Sequence, residues 1–233
     1  MINVYWSNSR PNFGDILTPH ILDYYNIDYN MVSKVDDASA MCIGSIIHRA
    51  TNNMIVLGSG AMHSKHKLNP NADYRFVRGP LTRQKIIDEG GICPEVYGDP
   101  ALLLPLFCDE SKKEYDVGIV PHYVDYDDIK VKYPTHKVIN LSNENPIEVA
   151  KEITKCRTII STSLHGIIAA HAYGIPAAWL IQNKLKGNNI KFRDYFSSVQ
   201  LETQFADNLN DVKFTTGIIP NLNTLEEKFK ELA

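Results

Sequence analysis

"IISTSLHGIIAAHAYGIPAAWLI", residues 159–181, is the stretch on which the fold turns. Residues 157–163 carry a β-branched run, Thr158 to Ile160, and read as a buried strand. Residues 165–174 are rich in small apolar side chains and read as a helix, and 176–181 read as a second strand. Strand, helix and strand in that order argue for α/β architecture built on parallel sheets. Two histidines and a Ser/Thr cluster interrupt this apolar material, and most of them fall where the strand hands over to the helix.

The same alternation runs along the rest of the chain. In the first half, residues 2–6, 40–47, 53–61 and 74–79 read as strands. Residues 14–25 read as a helix with Ile16, Leu17, His20, Ile21 and Tyr24 on one face. Residues 80–91 read as another, with Pro80 in its first turn and Gly90 as its stop. Residues 106–116, "LFCDESKKEYD", are polar and charged and form the best linker. Beyond them, 117–123, 137–142, 157–163 and 176–181 read as strands, and 145–156, 165–174 and 223–233 as helices. The reading is therefore two α/β halves joined near residue 110, which would leave a cleft between them. Ligands in such folds sit at the carboxyl ends of strands and at helix N-termini.

Bulk properties narrow the function. The chain has 233 residues, 44% hydrophobic and 22% charged, the balance of an ordinary globular protein. A net charge of −3 makes no electrostatic case for nucleic acid. No run approaches the roughly 18 apolar residues of a membrane span. The N-terminus lacks the basic start and apolar core of a signal peptide, so a cytoplasmic location is expected. Cys42, Cys93, Cys108 and Cys156 are scattered and read as reduced, buried thiols.

Polar clusters at strand exits supply the candidate site. "STSLHG" (161–166) is the strongest. Free N–H groups at that turn, with Ser161, Thr162 and Ser163, make an anion site. His165 can give or take a proton near neutral pH. Gly166 lets a ligand or the neighbouring half come close. His171 reads as a packed core residue. "NFGD" places Asn12, Gly14 and Asp15 before the first helix, where helix capping is the simpler explanation. Ser59, in "GSG" (58–60), marks a close backbone approach or a plain turn. Arg78 precedes the Pro80 helix start, where a cation has the wrong sign for the dipole. It reads as an anion ligand or as one side of a salt bridge. Asp99 reads as a ligand for a sugar hydroxyl or as an N-cap. His122 lies at a strand exit. The tract 183–196, with Lys184, Lys186, Lys191 and Arg193, reads as a loop that closes over a ligand, or as a solvated basic loop.

The ordered blocks N-x-G-D (12–15), G-S-G (58–60), R-G-P-x-T (78–82), G-D-P-A-L-L-L (98–104), P-H-Y (121–123) and S-x-S-L-H-G-I-I-x-A-H-A-Y-G-I-P (161–176) resemble the polysaccharide pyruvyl transferase family. The resemblance covers roughly residues 10 to 200. It implies a glycosyltransferase-B-like fold, with two Rossmann-like domains, residues 1–110 and 111–233, facing across a cleft. It also implies transfer of pyruvate from phosphoenolpyruvate to two sugar hydroxyls as a ketal, in capsule, exopolysaccharide or cell-wall glycan synthesis. Some members of that family engage the donor with an Arg-Leu-His triplet and a more N-terminal Arg. His165 and Leu164 match the triplet's last two positions. Ser163 stands where its Arg would be, and Arg78 matches the upstream Arg.

That chemistry assigns His165 to proton transfer, Asp15 to the base for the acceptor hydroxyl, and Arg78 to the donor's anionic groups. The basic tract with Lys186 and Lys191 would replace the charge missing at Ser163. No cofactor or metal is expected, only phosphoenolpyruvate as donor substrate. The acceptor is a lipid-linked sugar or an oligosaccharide, which leaves open a peripheral position at the inner face of a membrane. A homo-oligomer is also left open. The alternatives are a nucleotide-sugar glycosyltransferase of the same fold and a non-catalytic glycan-binding member of an assembly complex.

Overall fold

The computed structural model describes residues 1–181 and 189–233. The first half contains β1 (Ile2–Tyr5), α1 (Thr18–Tyr24), β2 (Tyr29–Met31), β3 (Ala40–Met41), β4 (Ile55–Leu57), β5 (Asp73–Phe76) and α2 (Pro80–Asp88). Its five strands form one parallel sheet in the order β2-β1-β3-β4-β5. The second half contains β6 (Tyr115–Val120), α3 (Tyr126–Lys132), β7 (Lys137–Val138), α4 (Pro146–Thr154), β8 (Cys156–Ser161), α5 (Leu164–Ala172) and β9 (Ala177–Trp179). Its sheet is parallel too, in the order β7-β6-β8-β9. The chain ends in α6 (Ile190–Ser198) and α7 (Leu222–Lys230).

The two sheets share one logic. Each lays its second strand on one side of the first and its third strand on the other. The direction of winding therefore reverses between β1 and β3, and again between β6 and β8. Loops leaving the carboxyl ends of such a pair part to opposite faces of the sheet and open a crevice. Local sequence holds the frame. Asn145 caps α4 by accepting from the N–H groups of Ile147 (3.0 Å) and Glu148 (3.3 Å), with Pro146 behind it. That helix buries Val149, Ala150 and Ile153. Gly118 lies in β6 where a Cβ would come within 2.5 Å of the Cys156 sulfur on β8.

Several expected elements are shorter than their apolar runs. The run 40–47 is a strand only over Ala40–Met41, because Gly44, at φ +114°, turns the chain. Cys42 and Ile43 stay buried in that turn, which is why the pattern looked continuous. The run 53–61 is a strand over Ile55–Leu57 and stops at Gly58, at φ +87°. The helix expected over 14–25 is a 3-10 turn at Asp15–Leu17 followed by α1. The strand expected over 137–142 is reduced to β7. The tract 183–196 is not simply a loop: from Ile190 it is helix α6.

Elements beyond residue 110 return to the first half. On α7, Phe229 stacks on Tyr25 (5.3 Å, 4°) and meets Phe76 edge-on (5.9 Å, 71°). On α6, Asp194 bonds to Arg78 and Thr82. One buried cluster runs through both halves, from Val4, Phe13 and Leu17 to Ile159, Ile167 and Phe192. All four cysteines are buried and free, and burial pushes the Cys42 and Cys93 thiols up to about 12. Among the described residues no helix is long and apolar enough to cross a membrane.

Candidate active site

Both winding reversals open onto the same cavity, of about 270 Å³. The loop after β1 contributes Ser7, Ser9, Arg10, Asn12 and Asp15, and the loop after β3 contributes Ser45, Ile46, His48 and Arg49. From the other half, the loop after β6 contributes His122 and Tyr123, and the turn after β8 contributes Ser163, Leu164 and His165. Lys191, in the first turn of α6, and Met62 complete the wall. The topology thus predicts the place, and the side chains decide what fits it.

Among the described residues, three cations face this space: Arg10, Arg49 and Lys191. The Arg10 guanidinium lies 4.7 Å from the centre of the Tyr123 ring, so an aromatic face from the other half steadies it. Arg49 donates to the Tyr5 hydroxyl. Burial, with Arg78 nearby, lowers the Lys191 ammonium to about 8. The N-terminus of α5 adds the free N–H groups of its first turn and the positive end of its dipole. These groups suit an anion with more than one negative charge.

Two proton-transfer groups stand among the cations. Asp15 is 8% exposed and accepts from the Asn12 amide at 2.6 Å. Burial raises its carboxyl above the usual range; the His165 charge and the Asn12 hydrogen bond pull the other way. His165 is the second residue of α5 and is 8% exposed. It packs so closely on Gly14 that a Cβ there would fall 2.1 Å from the ring's Cε1 and Nδ1. His122 is lowered to about 4, by burial and then by Lys191, and is neutral at physiological pH.

Of the residues singled out by sequence, Asn12, Asp15, His122, Ser163, Leu164, His165 and Lys191 line the cavity. Others do not reach it. Arg78 is fully buried and committed: it donates to Asp194 (3.1 Å), Ser45 Oγ (2.8 Å) and the Ala61 carbonyl (2.8 Å). Asp99 is fully buried and caps the 3-10 turn Pro100–Leu106 by accepting from Ala101 N–H. Ser161 Oγ donates to the Val120 and Ser163 carbonyls, and Ser59 Oγ to the Gly44 carbonyl. Gly166 serves helix-on-strand packing, since a Cβ there would meet Ser161 and Val120. Gly14 makes room for His165 rather than for a ligand. Lys184 and Lys186 lie outside the described residues. His171 is a core residue, bonded to Tyr195 Oη and the Thr215 carbonyl at 3.0 Å each.

Arg10, Arg49, Ser45 and His48 were not foreseen. Isolated arginines in loops carry no periodic signal. The clue available was position: each follows a strand that flanks a winding reversal.

A family model described as polysaccharide pyruvyl transferase matches residues 5–183. An uncharacterized protein of Acanthamoeba polyphaga mimivirus, L143, is 31% identical over 206 residues, covering 74% of this chain and 69% of the relative. The succinoglycan biosynthesis protein ExoV of Rhizobium meliloti is 28% identical over 208 residues. That match covers 82% of this chain and 62% of the relative, so the chain spans less than two thirds of ExoV.

Proposed function

The chain belongs to the polysaccharide pyruvyl transferase family, and from that premise we propose that it moves the pyruvyl group of phosphoenolpyruvate onto two hydroxyls of one sugar as a ketal. The observation that carries this reading is the convergence of Arg10, Arg49 and Lys191 on one cavity that also holds His165 and Asp15. Phosphoenolpyruvate brings a phosphate and a carboxylate a few atoms apart. Two guanidiniums, an ammonium and a helix N-terminus match that pair of anions. They also answer how Ser163 can stand where a triplet Arg is expected. Charge arrives from Arg10 and Arg49 on the facing half, and Ser163 leaves the helix end open.

The steps follow from the groups present. His165 gives a proton to the methylene carbon, and positive charge develops at the enol carbon. Asp15 takes the proton of the first sugar hydroxyl as its oxygen bonds to that carbon. The carbon–oxygen bond to phosphate breaks, and phosphate departs among the cations. A second hydroxyl of the same sugar closes the ketal at the same carbon. Two hydroxyl protons are released in all. One balances the new methyl group and the other leaves on phosphate. A carboxyl raised by burial is a better base than an exposed one, and neighbouring cations stabilise the departing phosphate.

The two parallel sheets with facing crevices fit a glycosyltransferase-B-like pair. The succinoglycan biosynthesis for which ExoV is named supports an exopolysaccharide or its lipid-linked precursor as acceptor. The test is phosphate release from phosphoenolpyruvate. Release that requires both phosphoenolpyruvate and a glycan supports the proposal. Calorimetric binding of a nucleotide sugar, with none of phosphoenolpyruvate, refutes it.

A further inference from the structure

Behind the cavity lies a contact that the steps above do not use. His165 Nε2 stands 3.6 Å from Asp99 Oδ2. Both atoms are shut off from solvent, and neither has a hydrogen-bond partner among the described residues. Asp99 is fully buried, and its other oxygen is spoken for: Oδ1 accepts from Ala101 N–H at 3.0 Å. The carboxylate therefore cannot turn away. Over the Nδ1–Cε1 bond of the imidazole face, Gly14 closes to a distance that excludes even a methyl group.

We infer that Asp99 is the positioning residue of this site: it holds the imidazole proton of His165 on Nε2 and so presents Nδ1 to the cavity. The physical case has three parts. A buried carboxylate oxygen without a donor is costly, and the Nε2 proton is the donor within reach. A carboxylate facing one ring nitrogen sets the tautomer, because the other choice would put two lone pairs against each other. With Nε2 buried, Nδ1 is the ring nitrogen left to exchange a proton with a bound molecule. Asp99 and Gly14 come from the first half and His165 from the second, so the ring is aligned only when the two halves are docked. The charged or titratable groups around it are Asp99 behind, and Asp15 and His122, whose fields it shares, at the cavity.

This inference concerns the ring and its partner. The role of His165 in pyruvyl transfer rests on the reading above and is tested separately. The measurement is ¹⁵N NMR of uniformly labelled full-length protein at alkaline pH, where imidazoles are neutral, with His165→Gln to assign the signals. The parent protein should show the Nε2–H tautomer. Asp99→Asn keeps the cap, because its amide oxygen takes the place of Oδ1 opposite Ala101 N–H. Its NH2 must then face Nε2 as a donor, and the proton should move to Nδ1. Asp99→Ser also keeps a cap while offering neither charge nor a donor that reaches, so it should give a mixture. An Nδ1–H tautomer in the parent, or an unchanged Nε2–H tautomer in the folded variants, overturns the inference. If phosphate release is measurable, Asp99→Asn should lower kcat by about 100-fold or more with KM for phosphoenolpyruvate little changed, since the cations are untouched. A tautomer that inverts in a protein that never binds phosphoenolpyruvate would uphold the positioning role and sink the pyruvyl transfer.

Discussion

Substituting Asp194 by Ala should unsettle the whole molecule, although Asp194 does not line the cavity. Its carboxylate accepts from Arg78 Nε at 3.1 Å, from Thr82 N–H at 2.8 Å and from Thr82 Oγ1 at 2.6 Å, with the second Arg78 nitrogen also at 3.1 Å. Both charged side chains are fully buried. Removing the carboxylate leaves the Arg78 guanidinium in the interior with, among the described residues, Ser45 Oγ and the Ala61 carbonyl as acceptors. Breaking a buried pair from one side costs about 3–5 kcal/mol, because the remaining charge is desolvated and uncompensated. That is a large part of the roughly 5–15 kcal/mol that holds a domain folded. For a chain of this size each kcal/mol moves Tm by about 2–4 °C, so a fall of roughly 10 °C is expected in a calorimetric melt. Replacing both partners, as Arg78→Met with Asp194→Leu, should recover most of the loss, because no charge remains buried. The local consequence is functional: α6 carries Lys191 three residues earlier, and the pair ties that helix to the start of α2. A single variant whose Tm drops by less than about 2 °C, with folding otherwise two-state, would refute the account of Arg78 as a structural tie.

His165→Ala should abolish phosphate release with the circular dichroism spectrum close to the parent's, while Tm falls because Asp99 Oδ2 is left buried without a donor. Arg10→Met should weaken phosphoenolpyruvate binding by about 10- to 100-fold, the range for one charge-assisted hydrogen bond, as read by titration calorimetry. Lys191 is a cation below about 8 and neutral above it, so phosphoenolpyruvate affinity should be full at lower pH and decline as pH rises through about 8. Lys191→Met should flatten that decline, and an unaltered pH profile would count against it. Gly14→Ala is allowed by its backbone, at φ −62°, so any loss of turnover must come from its methyl group displacing the His165 ring. Its effect should fall mainly on kcat.

Much of the frame was legible along the chain, and the reasons are particular. Strand β8 and the helix after it stood out because parallel strands buried on both faces need unbroken apolar runs. Strand β2, Tyr29–Met31, sits at a sheet edge with half-exposed or exposed side chains, so nothing in its pattern marks it. The apolar run after Met41 looked like strand because burial, not backbone conformation, selects apolar residues. The site was legible where it coincides with a strand exit, as at Ser163–Leu164–His165. At Arg78 an anion ligand and a salt bridge both stayed open, because the motif "RGP" places a charged side chain at a helix start without showing its partner. Only packing shows that Asp194, 116 residues further on, neutralises it.

The sequence by itself determined the α/β class, the parallel pairing, the exit turn that carries His165 and the family. Each of these depends on spacing along the chain, and spacing is local. The tertiary structure alone decided which charges meet. Arg10 and Arg49 lie 39 positions apart, and Lys191 stands 142 positions beyond Arg49, yet all three border one cavity. Asp99 backs a histidine 66 positions away. Coulombic and hydrogen-bonding energies depend on distance through space, which a chain acquires only when its two sheets dock.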